Sequence, residues 1–183
     1  MTTRIPVVSV VGKSDSGKTT LMEGLIRALT ARGWRVATVK HHIHDFDIDI
    51  PGKDSWRHAK AGAVVTMISA PDKFGVVRHV ERERTLDELV EAAGPDVDIL
   101  LTEGFKRAGD VRIEVSRAAR SDELICTPDQ LFALVTDVSY DVGVVPVFGL
   151  DDADGLAALV ERTFLSPFKP GVASSASRLG SGV

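Results

Sequence analysis

The sequence predicts an α/β domain with a mainly parallel β-sheet, helices on both faces in a three-layer arrangement, and an antiparallel hairpin extension. Three observations support this class. Short aliphatic runs such as residues 7–11 and 97–102 are typical of buried strands. Segments with helical spacing of apolar residues alternate with these runs. The first such segment joins two predicted strands, which makes a βαβ unit and therefore a parallel sheet.

The first elements follow from simple local signals. Residues 7–11 are β-branched and apolar apart from one serine, and Gly12 ends the strand. Apolar residues recur at helical spacing from 18 to 32, and Gly33 supplies the stop. Residues 35–40 then form the second predicted strand.

The middle of the chain predicts a polar loop and a hairpin. Residues 41–52 are polar and close with Pro51-Gly52; a short helix follows, capped by Asp54 or Ser55 and stopped at Gly62. Residues 64–69 and 75–80 are predicted strands joined by a turn, which favours an antiparallel hairpin. A helix is expected over residues 86–93.

The remaining strands are predicted at 97–102, 111–115, 131–136 and 144–148, and a last helix at 151–165. Residues 97–102 are almost entirely aliphatic, which indicates a central strand. From residue 166 the chain is rich in Ser, Gly and Pro, which predicts a disordered tail over 166–183. The predicted domain therefore spans residues 1–165.

Composition restricts the class of function. The 22 basic and 26 acidic side chains give a formal net charge of −4, so we expect no non-specific binding of nucleic acid. No apolar run approaches the length that spans a bilayer, and no signal peptide is apparent, so we expect a cytoplasmic protein without a membrane partner. The one cysteine, Cys126, suits a reducing compartment and is interpreted as a structural or surface thiol.

Residues 12–19 match the phosphate-binding motif G-x-x-x-x-G-K-[ST] at every fixed position, between a strand and a helix. This P-loop predicts a P-loop NTPase fold. Glycines let the backbone wrap the phosphates, the lysine reaches the β- and γ-phosphates, and the hydroxyl after it ligates Mg²⁺. The predicted nucleotide contacts are Gly12, Lys13, Ser14, Asp15, Ser16, Gly17, Lys18, Thr19 and Thr20.

Lys13 has two interpretations. One subclass of P-loop proteins uses a second lysine at this position across a dimer interface, but Ser14 and Asp15 stand where that subclass has glycines. The alternative is a solvated loop lysine.

A P-loop usually needs a further acidic residue at the carboxyl end of a neighbouring strand. Glu103 closes the strand 97–102, so we assign it, with Lys18, a catalytic role and, with Thr19, a role at the metal. Asp98 opens the same strand and would lie at the wrong end of the sheet. Lys106 either approaches the phosphate or is a solvated lysine.

Residues 41–49 hold three histidines and three aspartates. Asp45, Asp47 and Asp49 alternate, so in an extended chain they share one face that could bind Mg²⁺. The histidines His41, His42 and His44 could instead bind a transition metal. The remaining alternative is a polar loop at the rim of the site.

Asp137 follows the predicted strand 131–136. A carboxylate after this late strand is where guanine-specific P-loop proteins read the base, although the usual Asn-Lys-x-Asp is replaced by Val-Thr-Asp-Val. Asp137 is therefore either a guanine reader or a turn residue.

Several motifs together resemble one family. They are Gly-Lys-Ser-Asp-Ser-Gly-Lys-Thr-Thr-Leu, Val-Lys-His-His-x-His-Asp-Phe-Asp-x-Asp-x-Pro-Gly-Lys-Asp-Ser, Arg-x-x-Lys-Ala-Gly-Ala and Leu-Leu-Thr-Glu-Gly-Phe-Lys. The chain from about residue 7 to 165 resembles the molybdopterin-guanine dinucleotide biosynthesis adapter proteins, the MobB family.

The resemblance implies a homodimeric GTP-binding protein with weak Mg²⁺-dependent GTPase activity. Such a protein would assist the molybdopterin guanylyltransferase that attaches GMP to molybdopterin, and contact with molybdopterin itself is open. The family's phosphate site falls on residues 12–20, its acidic site on Asp47 and Asp49, and its second acid on Glu103.

Two other functions compete with the adapter. A small-molecule kinase would need an Arg-rich lid, for which residues 78–84 are the candidate, although they alternate with Glu like a solvated connector. A metal-delivery GTPase would use His41, His42 and His44. We expect slow turnover at most, because the sequence offers no clear water-positioning Gln and no obvious arginine finger.

Overall fold

The computed structural model describes residues 5–41, 48–105, 111–121 and 123–166. Within these residues the chain forms two compact units. The first runs up to His41 and resumes at Leu86, and the second spans 42–85. The histidines and aspartates at 42–47, Lys106 and the predicted tail from 167 onward lie outside the described residues.

The first unit contains a six-stranded sheet in which every pairing is parallel. Its strands are β1 (Val7–Val11), β2 (Val36–Lys40), β5 (Ile99–Glu103), β6 (Val111–Ser116), β7 (Ala133–Thr136) and β8 (Val147–Phe148), in the order β2-β5-β1-β6-β7-β8. β1 lies between β5 and β6, which places the loop after β1 at the middle of the carboxyl edge of the sheet. The parallel α/β class is therefore confirmed.

Helices α1 (Lys18–Ala31) and α4 (Ala153–Val160) pack together on the sheet, and α3 (Leu86–Ala93) precedes β5. Alternate residues of the strands face α1 and α4 and form the main core, because successive side chains of a strand point to opposite faces. The core includes Val8, Val10, Leu25, Leu29, Ile99, Leu101, Ile113, Val135, Leu156 and Val160.

The second unit contains the predicted hairpin. Strands β3 (Val65–Ser69) and β4 (Phe74–Arg78) pair antiparallel as a two-stranded sheet, after helix α2 (Asp54–Lys60). Thr66 is the single buried residue among residues 48–85, so this unit has hardly any apolar core of its own. Large apolar side chains are exposed there instead: Ile48, Ile50, Val64, Met67, Ile68, Phe74, Val76 and Val80.

Three local predictions need correction. Lys53, not Asp54 or Ser55, is the residue that precedes the first turn of α2. The last helix begins at Ala153 and changes to a π-helical turn over Glu161–Leu165. The strand predicted at 144–148 is limited to β8, because Val144 is fully exposed and lies just after Gly143, which has a φ of 62°.

Candidate nucleotide-binding site

The P-loop, residues 12–19, follows β1 and leads into α1, as the motif predicts. Gly12 and Gly17 have φ values of 153° and 100°, which L-residues with side chains rarely adopt. A Cβ at Gly12 would lie 2.5 Å from the carbonyl oxygen of Val115 on β6. The P-loop therefore approaches β6 so closely at residue 12 that only glycine, which has no Cβ, fits there.

The side chains of the P-loop divide into an outer and an inner set. Ser14, Asp15, Thr19 and Thr20 are exposed at the carboxyl edge of the sheet. Ser16 points inward, is 1% exposed, and its hydroxyl has no hydrogen-bond partner among the described residues. An unpartnered buried hydroxyl is uncommon, and it leaves one polar group of the loop available to a ligand or water.

Lys18, the first residue of α1, folds back over the loop. Its ammonium group donates to the carbonyl oxygens of Gly12 at 3.2 Å and Lys13 at 2.6 Å. This geometry holds the positive charge above the same backbone that would surround a phosphate. Contact of Lys18 with nucleotide phosphates stays a prediction.

Thr19 and Glu103, the two predicted metal-binding residues of the first unit, lie within hydrogen-bond distance of each other. The Thr19 hydroxyl lies 3.2 and 3.3 Å from the two carboxylate oxygens of Glu103, the last residue of β5. The ammonium group of Lys40, at the end of β2, is 3.6 Å from the same carboxylate. Hydroxyl and carboxylate oxygens are ligands that Mg²⁺ accepts, so the donor chemistry of this pair suits that ion.

The loop after β6 packs against the P-loop, a contact that was not predicted from the sequence. Lys13 donates to the hydroxyl of Ser121 and lies 3.8 Å from the Glu123 carboxylate. The guanidinium of Arg120 lies 4.0 Å from the carboxylate of Asp15. Lys13 is therefore half-buried and has partners within its own chain, and a role across a dimer interface stays a prediction.

Arg117 begins this loop and approaches the start of α1. Its guanidinium Nη2 lies 3.6 Å from the position that a Cβ on Gly17 would occupy. A contact between residues a hundred positions apart leaves no periodic pattern in the sequence. The one signal in the sequence that could have indicated this contact is a basic residue directly after a predicted strand.

Asp137 follows β7 directly, at the same edge of the sheet. One of its carboxylate oxygens accepts a hydrogen bond from the backbone N–H of Ala118 at 2.7 Å. Asp137 therefore holds the loop that begins at Arg117. Its reading of guanine stays a prediction.

Asp98 lies at the other edge of the sheet, as predicted. Its carboxylate accepts hydrogen bonds from the backbone N–H and the guanidinium of Arg35, and this partner lowers the pKa of the Asp98 carboxyl below its ordinary value. The pair ties β2 to β5 and has no place in the nucleotide site.

Asp49 lies in the second unit and has a local partner. Its Oδ1 accepts from the Ser55 hydroxyl at 2.7 Å and from the Ile50 N–H at 2.9 Å. A role at a metal stays a prediction for Asp49 and for Asp47, which falls outside the described residues. Among residues 5–41, 48–105, 111–121 and 123–166, no three His, Cys, Asp or Glu side chains are grouped closely enough to hold a metal ion.

Residues 78–84, the candidate kinase lid, begin at the last residue of β4 and are all exposed. This agrees with a solvated connector. In the described part of the chain, no helix is both long enough and apolar enough to cross a membrane.

The parallel sheet with a glycine-bounded loop between β1 and α1 defines an α/β protein of the P-loop type. Residues 7–137 match the model of the family MobB, molybdopterin guanine dinucleotide synthesis protein B. The chain belongs to this family.

Individual relatives agree with this assignment. A molybdopterin-guanine dinucleotide biosynthesis adapter protein of Escherichia coli K12 is 35% identical over 163 residues, which cover 86% of this chain and 93% of the relative. One of Haemophilus influenzae is 32% identical and covers 78% and 80% of the two chains. The crystal structure of a molybdopterin-guanine biosynthesis protein B superposes with a TM-score of 0.66 at 31% identity, over 85% of this chain and 98% of that one. Bacillus subtilis MobB gives a TM-score of 0.66 at 26% identity, covering 85% and 98%.

Proposed function

We propose that this chain binds GTP with Mg²⁺ at the P-loop and acts as an adapter for the guanylyltransferase that attaches GMP to molybdopterin. The observation that carries the nucleotide part is the arrangement of the loop. Lys18 is held over its carbonyls, and the Thr19 hydroxyl meets the Glu103 carboxylate. In this proposal Lys18 binds the β- and γ-phosphates, and Thr19 and Glu103 hold Mg²⁺, which would neutralise phosphate charge.

The guanine preference has separate support. Asp137 lies at the carboxyl edge of the sheet, beyond β6, and its second carboxylate oxygen has no donor among the described residues. A carboxylate can accept both the N1–H and the exocyclic amine of guanine. We propose Asp137 as the group that distinguishes guanine from adenine.

Slow hydrolysis is part of this proposal, and the position of the glutamine supports it. The single glutamine of the chain, Gln130, lies in a 3₁₀ turn before β7 and accepts from the N–H of Thr127. It belongs to the opposite edge of the sheet and is not a water-positioning residue. Bound GTP would therefore persist and act on the partner, which suits an adapter better than an enzyme with rapid turnover.

Titration calorimetry with Mg²⁺ tests the nucleotide part. We expect GTP to bind more tightly than ATP, and Lys18→Ala to weaken GTP binding at least about a hundredfold because it removes a charge-assisted phosphate contact. Lys73→Ala, in the exposed turn of the hairpin, is the matched control and should bind like the wild type. Unchanged GTP affinity in Lys18→Ala would contradict the phosphate site.

A homodimer is proposed for the second unit. Met67, Ile68, Phe74 and Val76 are 63%, 57%, 62% and 47% exposed on a sheet of two strands. An isolated hairpin is marginally stable in water, and a second copy would cover these side chains and pair the strand edges. Light scattering should give twice the chain mass for the wild type and one chain mass for Ile68→Asp, while Lys73→Ala stays dimeric. A monomeric wild type would contradict the proposal.

A co-elution experiment with the guanylyltransferase tests the adapter part. We expect a complex that forms with Mg²⁺ and GTP and is lost with Lys18→Ala. If the complex forms equally well without nucleotide, the adapter role is supported, but GTP is not required for it.

A further inference from the structure

Arg117 lies in a crevice beside the P-loop that is also lined by two cations, Lys13 and Arg120, and two carboxylates, Glu114 and Glu123. Its Nε is buried without a hydrogen-bond partner, and no carboxylate within the described residues forms an ion pair with its guanidinium. The other cations of the same crevice have partners: Lys13 contacts Ser121 and Glu123, and Arg120 contacts Asp15. Burying a guanidinium without a partner costs free energy. This cost indicates that a ligand contacts the Arg117 guanidinium.

The position of Arg117 relative to the metal pair indicates which part of a nucleotide it meets. Thr19 and Glu103 meet on the β5 side of β1, so under the proposed function the Mg²⁺-bound end of the phosphates lies there. Arg117 follows β6, on the opposite side of β1, and its guanidinium lies against the start of α1 near Gly17. The ribose and base would extend toward this side.

A hydrogen bond joins the residue after Arg117 to the proposed base reader. The N–H of Ala118, the next residue, donates to Asp137 at 2.7 Å. Ser116 pairs with Thr136 in the parallel register of β6 and β7, so Arg117 and Asp137 each follow directly at the ends of neighbouring strands. The chain contains no asparagine, so no asparagine side chain can supply the usual contact to guanine at this place.

We infer that Arg117 is a base-stacking residue: its guanidinium plane packs on the purine ring of the bound nucleotide, while Asp137 contacts the ring edge. A guanidinium is planar and weakly hydrated, and it stacks on aromatic faces without needing a hydrogen-bond acceptor. Stacking is compatible with an Nε that has no hydrogen-bond partner among the described residues. The inference rests on the proposed function for the place of the phosphates.

Comparison of a nucleotide with a ligand that lacks the base tests this stacking. Affinities for Mg·GTP and Mg·tripolyphosphate are measured by calorimetry for the wild type, Arg117→Ala, Arg117→Lys and the control Arg27→Ala. Arg27 is exposed on α1 and pairs with Glu23, so its removal changes the charge equally. We expect both Arg117 variants to weaken GTP binding about 5- to 150-fold, as loss of one stacked base does, with tripolyphosphate binding unchanged.

Equal weakening of both ligands would overturn the inference, because Arg117 would then contact phosphate. Unchanged GTP binding would overturn it as well. If the wild type prefers ATP, the proposed guanine reader fails, but the same comparison is made with ATP, since adenine also presents a face for stacking. A wild type that binds no nucleotide removes both proposals.

A measurement on the wild type tests the stacking without comparing the affinities of variants. The Arg117 Nε–H resonance, assigned by its absence in Arg117→Lys, should shift upfield with GTP because of the ring current of a stacked base. Tripolyphosphate should leave it without an upfield shift. Equal shifts with both ligands would contradict stacking.

Discussion

At Gly12 the backbone leaves no space for a side chain. An added Cβ would lie 2.5 Å from the Val115 carbonyl and 2.6 Å from the Ser16 hydroxyl, and the φ of 153° is itself unfavourable for alanine. Gly12→Ala must therefore displace either the P-loop or β6. We expect urea unfolding to show a loss of about 2 kcal/mol or more in the free energy of unfolding.

Gly149→Ala is the control for that experiment. Gly149 has no atom within 4 Å of the added Cβ and does not have a positive φ. Its replacement should change the free energy of unfolding by no more than about 0.5 kcal/mol. Equal urea midpoints for the two variants would show that the close approach of loop and strand is absent.

The thiol of Cys126 is expected to be unreactive. Burial, and then the nearby Glu114 carboxylate, raise the pKa of Cys126 to about 11. Because the pKa in the folded state lies above the ordinary value of 9.0, the native thiol keeps its proton, and stability from this group is lost as pH rises from about 9 through 11. Alkylation by iodoacetamide at pH 8 should be about a hundredfold slower in the native protein than in urea.

Glu114→Gln checks the cause. Glu114 accepts from the N–H groups of Ile125 and Cys126, and a neutral amide removes the charge but keeps one acceptor oxygen. The variant should be alkylated faster than the wild type in its folded state. Equal rates in folded and unfolded wild type would contradict the raised pKa.

At the scale of elements, α1 and α4 approach each other through small residues. A Cβ on Gly24 would lie 2.8 Å from the Cβ of Ala153, the first residue of α4. Alanine normally favours a helix over glycine by about 1 kcal/mol, but here the overlap should outweigh that gain because an alanine methyl cannot rotate away. We expect Gly24→Ala to lower the free energy of unfolding by about 1 kcal/mol.

A double-mutant cycle tests this contact. Ala153→Gly removes the second methyl, so the combination Gly24→Ala with Ala153→Gly should be more stable than the sum of the single changes by about 0.5–3 kcal/mol. Additive effects would show that the two helices are not held this closely.

Strong local signals predicted elements well. The bounds of β1 and α3 were predicted as observed, because an aliphatic run before a glycine and an apolar stripe before Gly94 leave little choice. The C-terminal helix was predicted as regular, but the Ser166 N–H bonds to the carbonyl of Glu161, which makes a π-helical turn. Both hydrogen-bond patterns suit the same apolar stripe, so periodicity cannot distinguish them.

At the scale of the whole molecule, the sequence predicts the residues of the P-loop but not what packs on it. Lys18, Thr19 and Glu103 follow from a motif and from the end of a strand. The contact of Lys13 with Ser121 joins residues 108 positions apart. It depends on the strand order, which puts β6 next to β1, and no local pattern encodes that neighbour.

Ligand binding should stabilise the whole chain, because only the folded state assembles the P-loop against β5 and β6. With Mg·GTP at a hundred times its Kd, mass action adds about 2.7 kcal/mol to the free energy of unfolding. For a chain of this length that corresponds to a rise in Tm of roughly 5–11 °C. Lys18→Ala should abolish the rise, whereas Arg27→Ala should keep it. Calorimetric scans with Mg·GTP, Mg·ATP and Mg²⁺ alone measure the effect. An equal rise with ATP would contradict the guanine preference, and an equal rise in Lys18→Ala would mean that the nucleotide stabilises the protein at another site.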